Sequence, residues 1–256
     1  MKPLDDQSLA RNCEVCCQVA AEAVVRVHLA SLAELRRNPG PVHGDAVPVS
    51  LLKHSDEQTV AGLCAVYRAI AQAGWNAISF RDWGVVAAPR FLGRPAMEAA
   101  LKRFAAEGAW GVSPHLIPHR SLHSVSGTIS QALKIHGPNF GVGGGPEGTA
   151  EALLAATALL QGKQLAGVWV VLTCLRPELA VGLALALTPI APSSSCGTGG
   201  KGEERPRLHI RDGVADAKML TRIEEELGDH SSRSREGAAI MTAPKSAARI
   251  TSERST

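Results

Sequence analysis

Residues 136–175 constrain the fold more than any other part of the chain. They read "HGPNFGVGGGPEGTAEALLAATALLQGKQLAGVWVVLTCL": a short apolar stretch, a glycine cluster, an alanine-rich stretch and a dense β-branched run. That order predicts a strand over Asn139–Val142, a turn, a helix over Thr149–Leu160 and a strand over 166–174. A helix between two strands implies an α/β fold with mixed or parallel pairing. Aromatic residues make up only 4% of the chain, and alanine is abundant among its apolar residues. Small side chains of that kind favour close-packed helices over a β-sandwich.

The rest of the pattern fits around this unit. Leu9, Cys13, Cys16, Cys17, Ala20, Val24, Val27 and Leu32 fall near helical spacing and predict an N-terminal helix over 7–37, ended by Asn38-Pro39-Gly40-Pro41. Ser55 with Gln58 forms a capping-box pattern that opens a second helix, which runs through Val60, Leu63, Val66 and Ile70 to Gly74. Residues 75–80, "WNAISF", read as a short strand, and Trp83–Pro89 as a buried strand. Helices are expected over 95–108 and 124–135, joined by a proline-broken connection. One more strand is expected over 181–191. From Pro192 the composition turns to serine, glycine and charge, as in segments that bury too little apolar surface to fold. Beyond "RLHIRDG" and a short helix around Ala217–Leu227, this tail is expected to be disordered. The domains are therefore drawn as 1–49 (N-terminal helix and extended linker), 50–191 (α/β domain) and 192–256 (low-complexity tail).

Composition excludes several classes of function. The net charge is +3 and spread evenly, which argues against nucleic acid and anionic membrane surfaces as partners. No uncharged apolar run approaches the roughly 18–20 residues of a membrane span. Six cysteines, with no leader pattern before them, read as reduced thiols in a cytoplasmic protein.

Three kinds of chemistry are suggested by local motifs, and each meets an obstacle. Gly143-x-Gly145-x-x-Gly148 matches G-x-G-x-x-G between a strand and a helix, which would cradle a pyrophosphate. Pro146 removes an N–H from that cradle, Glu147 adds a negative charge, and the acid expected after the next strand arrives late, as Glu178. His115, His119 and His123 are spaced by four, as metal ligands on one helix face would be, but Pro114 and Pro118 interrupt the segment. Cys13, Cys16 and Cys17 have no second pair to complete a zinc site and read as small buried residues of an amphipathic helix. No metal and no cofactor is expected. A catalytic thiol needs a base or a helix start, whereas Cys64 lies inside a helix and Cys174 at a strand end.

Taken as ordered blocks, residues 50–175 resemble the N-terminal half of the β-ketoacyl synthases. The resemblance rests on Gly111, Ser113, Pro114, Pro118, Gly127, Gly137, Pro138 and Asn139 in "GVSPHLIPHRSLHSVSGTISQALKIHGPN". It continues through the glycine turn, the alanine-rich helix ending at Gly162 and the following strand, and includes "HSDEQTVAGLCAVYRAIAQAGW" and "WGVVAAP" upstream.

The resemblance implies a thiolase-like fold, here the N-terminal half only, with a mixed sheet and helices on both faces. It implies the activity of a 3-oxoacyl-acyl-carrier-protein synthase, an acyltransferase of fatty-acid or polyketide biosynthesis. It also implies dimerisation through Asn139, Phe140, Gly141 and Val142, followed by a turn of Gly143, Gly144, Gly145 and Gly148. The nucleophilic cysteine of the family would fall at Pro146, which cannot be acylated, and His123 stands where the family has asparagine. The expectation is a catalytically inactive partner, a homo- or heterodimer acting with an acyl carrier protein or a full-length ketoacyl synthase. A lone half should expose apolar surface where the second half would pack. The alternatives are a nucleotide-binding protein using Gly143–Gly148 and a degenerate protein with no activity.

Overall fold

The structure, a computed structural model, describes residues 15–37, 49–114, 116–145, 147–162, 165–190, 207–211, 214–215 and 217–227. The strands are β1 (Val15–His28), β2 (Trp83–Pro89), β3 (Asn139–Gly141), β4 (Gly167–Leu175), β5 (Leu179–Pro189), β6 (Arg207–Arg211) and β7 (Val214–Ala215). The α-helices are α1 (Leu32–Leu35), α2 (Val49–Leu52), α3 (Glu57–Gln72), α4 (Arg94–Glu107), α5 (Leu116–Arg120), α6 (His123–Ala132), α7 (Gly148–Gly162) and α8 (Ala217–Leu227).

The strands form one mixed sheet in the order β3-β2-β4-β5-β1-β6-β7. β3, β2 and β4 are parallel, and the remaining pairings are antiparallel. Helices cover both faces, as expected for the α/β class. Val168–Leu172 of β4 are fully buried, which explains their continuous apolar run: a central strand has no wet face. Val86, Ala88, Val170, Leu172, Leu183 and Leu185 pack with α7 and α8. Val85, Ala87, Trp169, Val171, Ala184 and Ala186 pack on the other face with α3 and α6. Gly182 lets α3 approach β5 closely, because a Cβ there would lie 2.4 Å from the Ala61 carbonyl oxygen.

The N-terminal helix predicted over 7–37 is corrected to a strand over residues 15–28, and only its end, at Leu29–Ser31 and Leu32–Leu35, is helical. Residues 15–28 form β1, paired with β5 from Cys17↔Pro189 to His28↔Leu179 and with β6 at Val15–Gln18. A bulge between Val19 and Ala21 explains why the alternation was hidden. Before it, Cys17 and Val19 face α7 and α8; after it, Ala21, Ala23 and Val25 face α3. One extra residue inverts the parity, and the summed pattern mimics helical spacing.

Three smaller corrections follow. Residues 75–80 form no strand; Phe80 instead packs edge-on against Trp83, with ring centroids 5.1 Å apart. The cap of α3 is Asp56, whose carboxylate accepts from the Gln58 N–H, and not Ser55. The described part of the tail is folded: β6 extends the sheet, and α8 buries Met219, Ile223 and Leu227 against the face that carries α7. α7 and α8 thus cover this face of the sheet together. The rest of the 192–256 segment, and the N-terminal residues 1–14, lie outside the described residues.

Candidate functional site

The parallel strands end at one edge of the sheet, and the glycine turn lies there. β3 pairs with β2 in the register Val85↔Asn139, Val86↔Phe140 and Ala87↔Gly141, and Val142 N–H extends the pairing to the Ala87 carbonyl at 2.8 Å. Asn139 Nδ2 donates to Ser130 Oγ at 3.4 Å. The chain then doubles back through Gly143 (φ +69°) and Gly144 (φ +112°). A Cβ on Gly143 would stand 2.6 Å from the Gly148 Cα, so only glycine closes this turn onto the start of α7. The Gly144 carbonyl accepts from Phe91 N–H at 2.9 Å, and the Gly145 carbonyl from Gly148 N–H at 3.3 Å. Asn139, Phe140, Gly141, Val142, Gly143, Gly144, Gly145 and Gly148 are thus brought into one strand–turn–helix unit, as the sequence implied. Pro146 lies outside the described residues; Gly145 and Glu147 on either side of it are placed.

What stands at the first turn of α7 is a buried cluster that no local motif announces. Thr149 is buried, and its hydroxyl donates to Glu224 Oε1 at 2.9 Å. Arg90, 6% exposed at the end of β2, donates to Thr149 Oγ1 at 3.2 Å and forms an ion pair with Glu224. Glu224 comes from α8, 134 residues away from Arg90 in sequence. Two more bonds tie α8 to the end of β4: Cys174 Sγ to the Leu227 carbonyl at 3.4 Å, and Arg176 Nη2 to the same oxygen at 2.6 Å. The arginine answers the negative end of the α8 dipole.

Behind Arg90, a polar network joins the strand ends to α3. The Arg90 N–H donates to the Thr173 carbonyl at 2.8 Å. Gln58 Nε2 donates to the Arg90 carbonyl at 3.0 Å, and Thr173 Oγ1 donates to Gln58 Oε1 at 2.9 Å. Asp56, next along, is buried and ion-paired with Arg120 at 3.2 Å. Burial pushes its carboxyl up to about 6, against the opposing pull of the Gln58 N–H and of Arg120. Burial likewise pushes the Cys64 thiol up to about 11, away from thiolate chemistry.

The histidine spacing has a separate outcome. His119 and His123 line one open groove of about 620 Å³ with Ser124 and Thr128. They sit on different helices, α5 and α6, and not on one continuous face. His123 Nδ1 lies 3.3 Å from Ser126 Oγ, and the His54 and His119 rings are 5.8 Å apart. His115 lies outside the described residues, and among those described no three metal-ligating side chains converge. Cys17 is a buried residue of β1, and Cys13 lies outside the described residues.

No family model and no curated protein matches the sequence. The fold, however, is similar to solved structures. One is a type II polyketide synthase acyl-carrier protein in complex with its ketosynthase bound to the hexaketide: 13% identity, TM-score 0.50, covering 68% of this chain and 62% of that one. Another is the ishigamide ketosynthase/chain length factor: 17% identity, TM-score 0.50, covering 69% of this chain and 62% of that one. The chain spans about 62% of the length of these structures. Its fold is that of a partial ketosynthase-like, thiolase-type α/β domain. No helix among the described residues is long and apolar enough to cross a membrane.

Proposed function

We propose that this protein is a non-catalytic, ketosynthase-like partner in acyl-chain biosynthesis of the fatty-acid or polyketide type. The observation that carries this reading is the turn between β3 and α7. From Val142 to Gly148 it contains no cysteine, serine or threonine, and Pro146 stands where the resemblance puts the nucleophile. The nearest hydroxyl, Thr149, is committed to Glu224 and Arg90. Glu224, ion-paired with Arg90, already occupies the Thr149 hydroxyl and the Arg90 guanidinium at the first turn of α7, so neither group is left to hold an acyl-transfer oxyanion. Pro146, which lacks an N–H within the turn, weighs against the nucleotide-binding alternative.

Two surfaces support an association role. β3 is an edge strand of the sheet among the described residues. On α4, Met97, Leu101 and Phe104 are exposed at 38%, 63% and 55% and share one face, and Trp110 beyond the helix is 99% exposed. Exposed apolar stripes of this kind mark interfaces. We place the protein in the cytoplasm, as a homodimer or as a heterodimer with a full-length ketosynthase serving an acyl carrier protein.

Incubation with an acyl-carrier-protein thioester followed by mass spectrometry tests inactivity: no acyl adduct is expected, and a covalent adduct on this chain refutes it. Light scattering of the purified chain, alone and mixed with a ketosynthase, tests association. A monomer that stays monomeric in both conditions rules out the partner role.

A further inference from the structure

We propose that the pocket beside the α7 mouth binds a small amphiphilic oxyanion: a phosphate monoester or carboxylate carrying a short alkyl chain. This inference stands on the pocket itself and does not depend on the reading as an inactive ketosynthase. The cavity measures about 300 Å³ and is lined by Arg90, Arg94 and Arg176 on one side of its chemistry and Phe91, Pro95 and Leu227 on the other. Arg90 and Arg176 follow the carboxyl ends of β2 and β4, and Arg94 opens α4. Open α/β sheets bind ligands at that end of their parallel strands.

Charge is the first argument. Glu224 answers Arg90. Arg94 lies over the Phe91 ring, 5.5 Å from its centroid, and Arg176 is bonded to a backbone carbonyl, at 2.6 Å. Among the described residues no carboxylate pairs with either. Two cationic side chains thus face one concavity without a matching anion, which concentrates positive potential there.

The second argument is that the site already holds an oxyanion from its own chain. Arg90 and Thr149 together bind the Glu224 carboxylate. A guanidinium fork beside a hydroxyl is the arrangement that recognises carboxylates and phosphates. Arg94 and Arg176 bring two further guanidiniums to the same concavity.

Size and lining set the rest of the ligand. Small-molecule sites span roughly 300–1,000 Å³, so this one fits a single anionic head and a few carbons. Phe91, Pro95 and Leu227 offer apolar contact for that chain, and Phe91 is 51% exposed with nothing covering half of its surface.

The test uses the full chain in calorimetric titration and thermal-shift assays. The probes are butyl phosphate, hexanoate, inorganic phosphate, and sodium chloride at matched ionic strength. Saturable binding of butyl phosphate or hexanoate is expected, several-fold tighter than inorganic phosphate, with no stabilisation by chloride. Arg94→Ala is the cleanest variant, because Arg94 is exposed and its loss leaves the core intact. It should weaken butyl phosphate binding about tenfold, with an unchanged circular dichroism spectrum. Arg176→Ala should weaken it similarly, and Lys102→Ala, on the exposed side of α4, should not. Affinity no better than about 10 mM for both alkyl anions, equal stabilisation by chloride, or undiminished binding in both arginine variants would overturn the proposal. Equal affinity for butyl and inorganic phosphate would remove the apolar half of the site.

Discussion

The parallel limb of the sheet (β3, β2, β4) and its antiparallel wing (β5, β1, β6) are built by different means. In the limb, β2 leads through α4, α5 and α6 to β3, and β3 leads through α7 to β4, so the parallel strands are joined by helical crossovers, although β2 and β4 pair across a long stretch of chain, from Trp83↔Gly167 to Pro89↔Thr173. β3, the glycine turn, α7 and β4 are consecutive elements. In the wing, only β4 and β5 are joined by a short turn; β1 pairs with β5 and β6 across most of the chain. α8 then crosses from the wing to the limb, anchoring Ile223 in the core and Glu224 on Arg90. The elements of the limb follow one another as helical crossovers, whereas the wing and its strap bring the N-terminal strand and α8 together from opposite ends of the described chain.

Mutations where limb and wing meet should break this comparison most sharply. Gly182→Val puts a side chain into the Ala61 carbonyl, where even a Cβ would sit at 2.4 Å. The expected cost is about 3–5 kcal/mol or outright misfolding, since β5 and α3 cannot both keep their places. Urea denaturation measures it, and a loss under about 1 kcal/mol would mean that α3 is not held against β5 as described. Ile223→Ala empties a fully buried site on α8. A loss of about 2–4 kcal/mol in the same cooperative transition is expected if the strap and the limb unfold as one unit. A separate early transition would show α8 to be an appendage.

The polar half of the strap carries a smaller effect. Glu224→Gln leaves the buried Arg90 guanidinium beside a neutral amide, at an expected cost of about 1–3 kcal/mol, moderated because Glu224 is 30% exposed. The surface pairs Arg26–Glu226 and Arg222–Glu22 should contribute well under about 1 kcal/mol each, and double-mutant cycles separate the two cases. Equal coupling energies in all three would remove the distinction between core strap and solvated contact.

A pH-dependent effect belongs to the cap of α3, the helix packed on β5 and β1. Asp56 has a folded-state pKa raised from 3.8 to about 6. Between those values the native state binds more protons than the unfolded one, so the stability linked to Asp56 is present below the lower value and lost as pH rises through the upper one. Comparing the pH dependence of melting for wild type and Asp56→Asn isolates it. The wild type should lose stability relative to the variant between roughly pH 4 and 6, and the opposite slope would assign the raised value to another group.

Legibility did not divide between limb and wing. β2, β4, β5, α3, α7 and α8 lie close to where local periodicity puts them, because each shows its own buried face in its own residues. Only the cap residue of α3 shifted, from Ser55 to Asp56, a neighbour with the same capping chemistry. β1 was misread because its bulge swaps the faces of Cys17 and Val19 relative to Ala21 and Ala23, and no local spacing signals a parity change. Residues 75–80 look like a strand from their β-prone side chains, yet Trp75 and Phe80 pack in the aromatic cluster around Trp169 without strand pairing, and Ile78 is exposed. At the site, the glycine turn was visible in the sequence, since positive φ at Gly143 and Gly144 demands glycine. The Arg90–Thr149–Glu224 cluster was not, because an arginine, a threonine and a glutamate at those separations form no motif.

By itself, the sequence determined the strand–turn–helix–strand order, the ketosynthase-like pattern over 50–175 and the proline within the turn. Those are properties of adjacent residues, set by backbone conformation and by the period of apolar side chains. Only the tertiary structure decided that residues 15–28 are a strand, that α8 covers the α7 face, and that a carboxylate from α8 lies at the first turn of α7. Each of those depends on contacts between segments far apart in the chain, whose energy exists only once the intervening loops have closed.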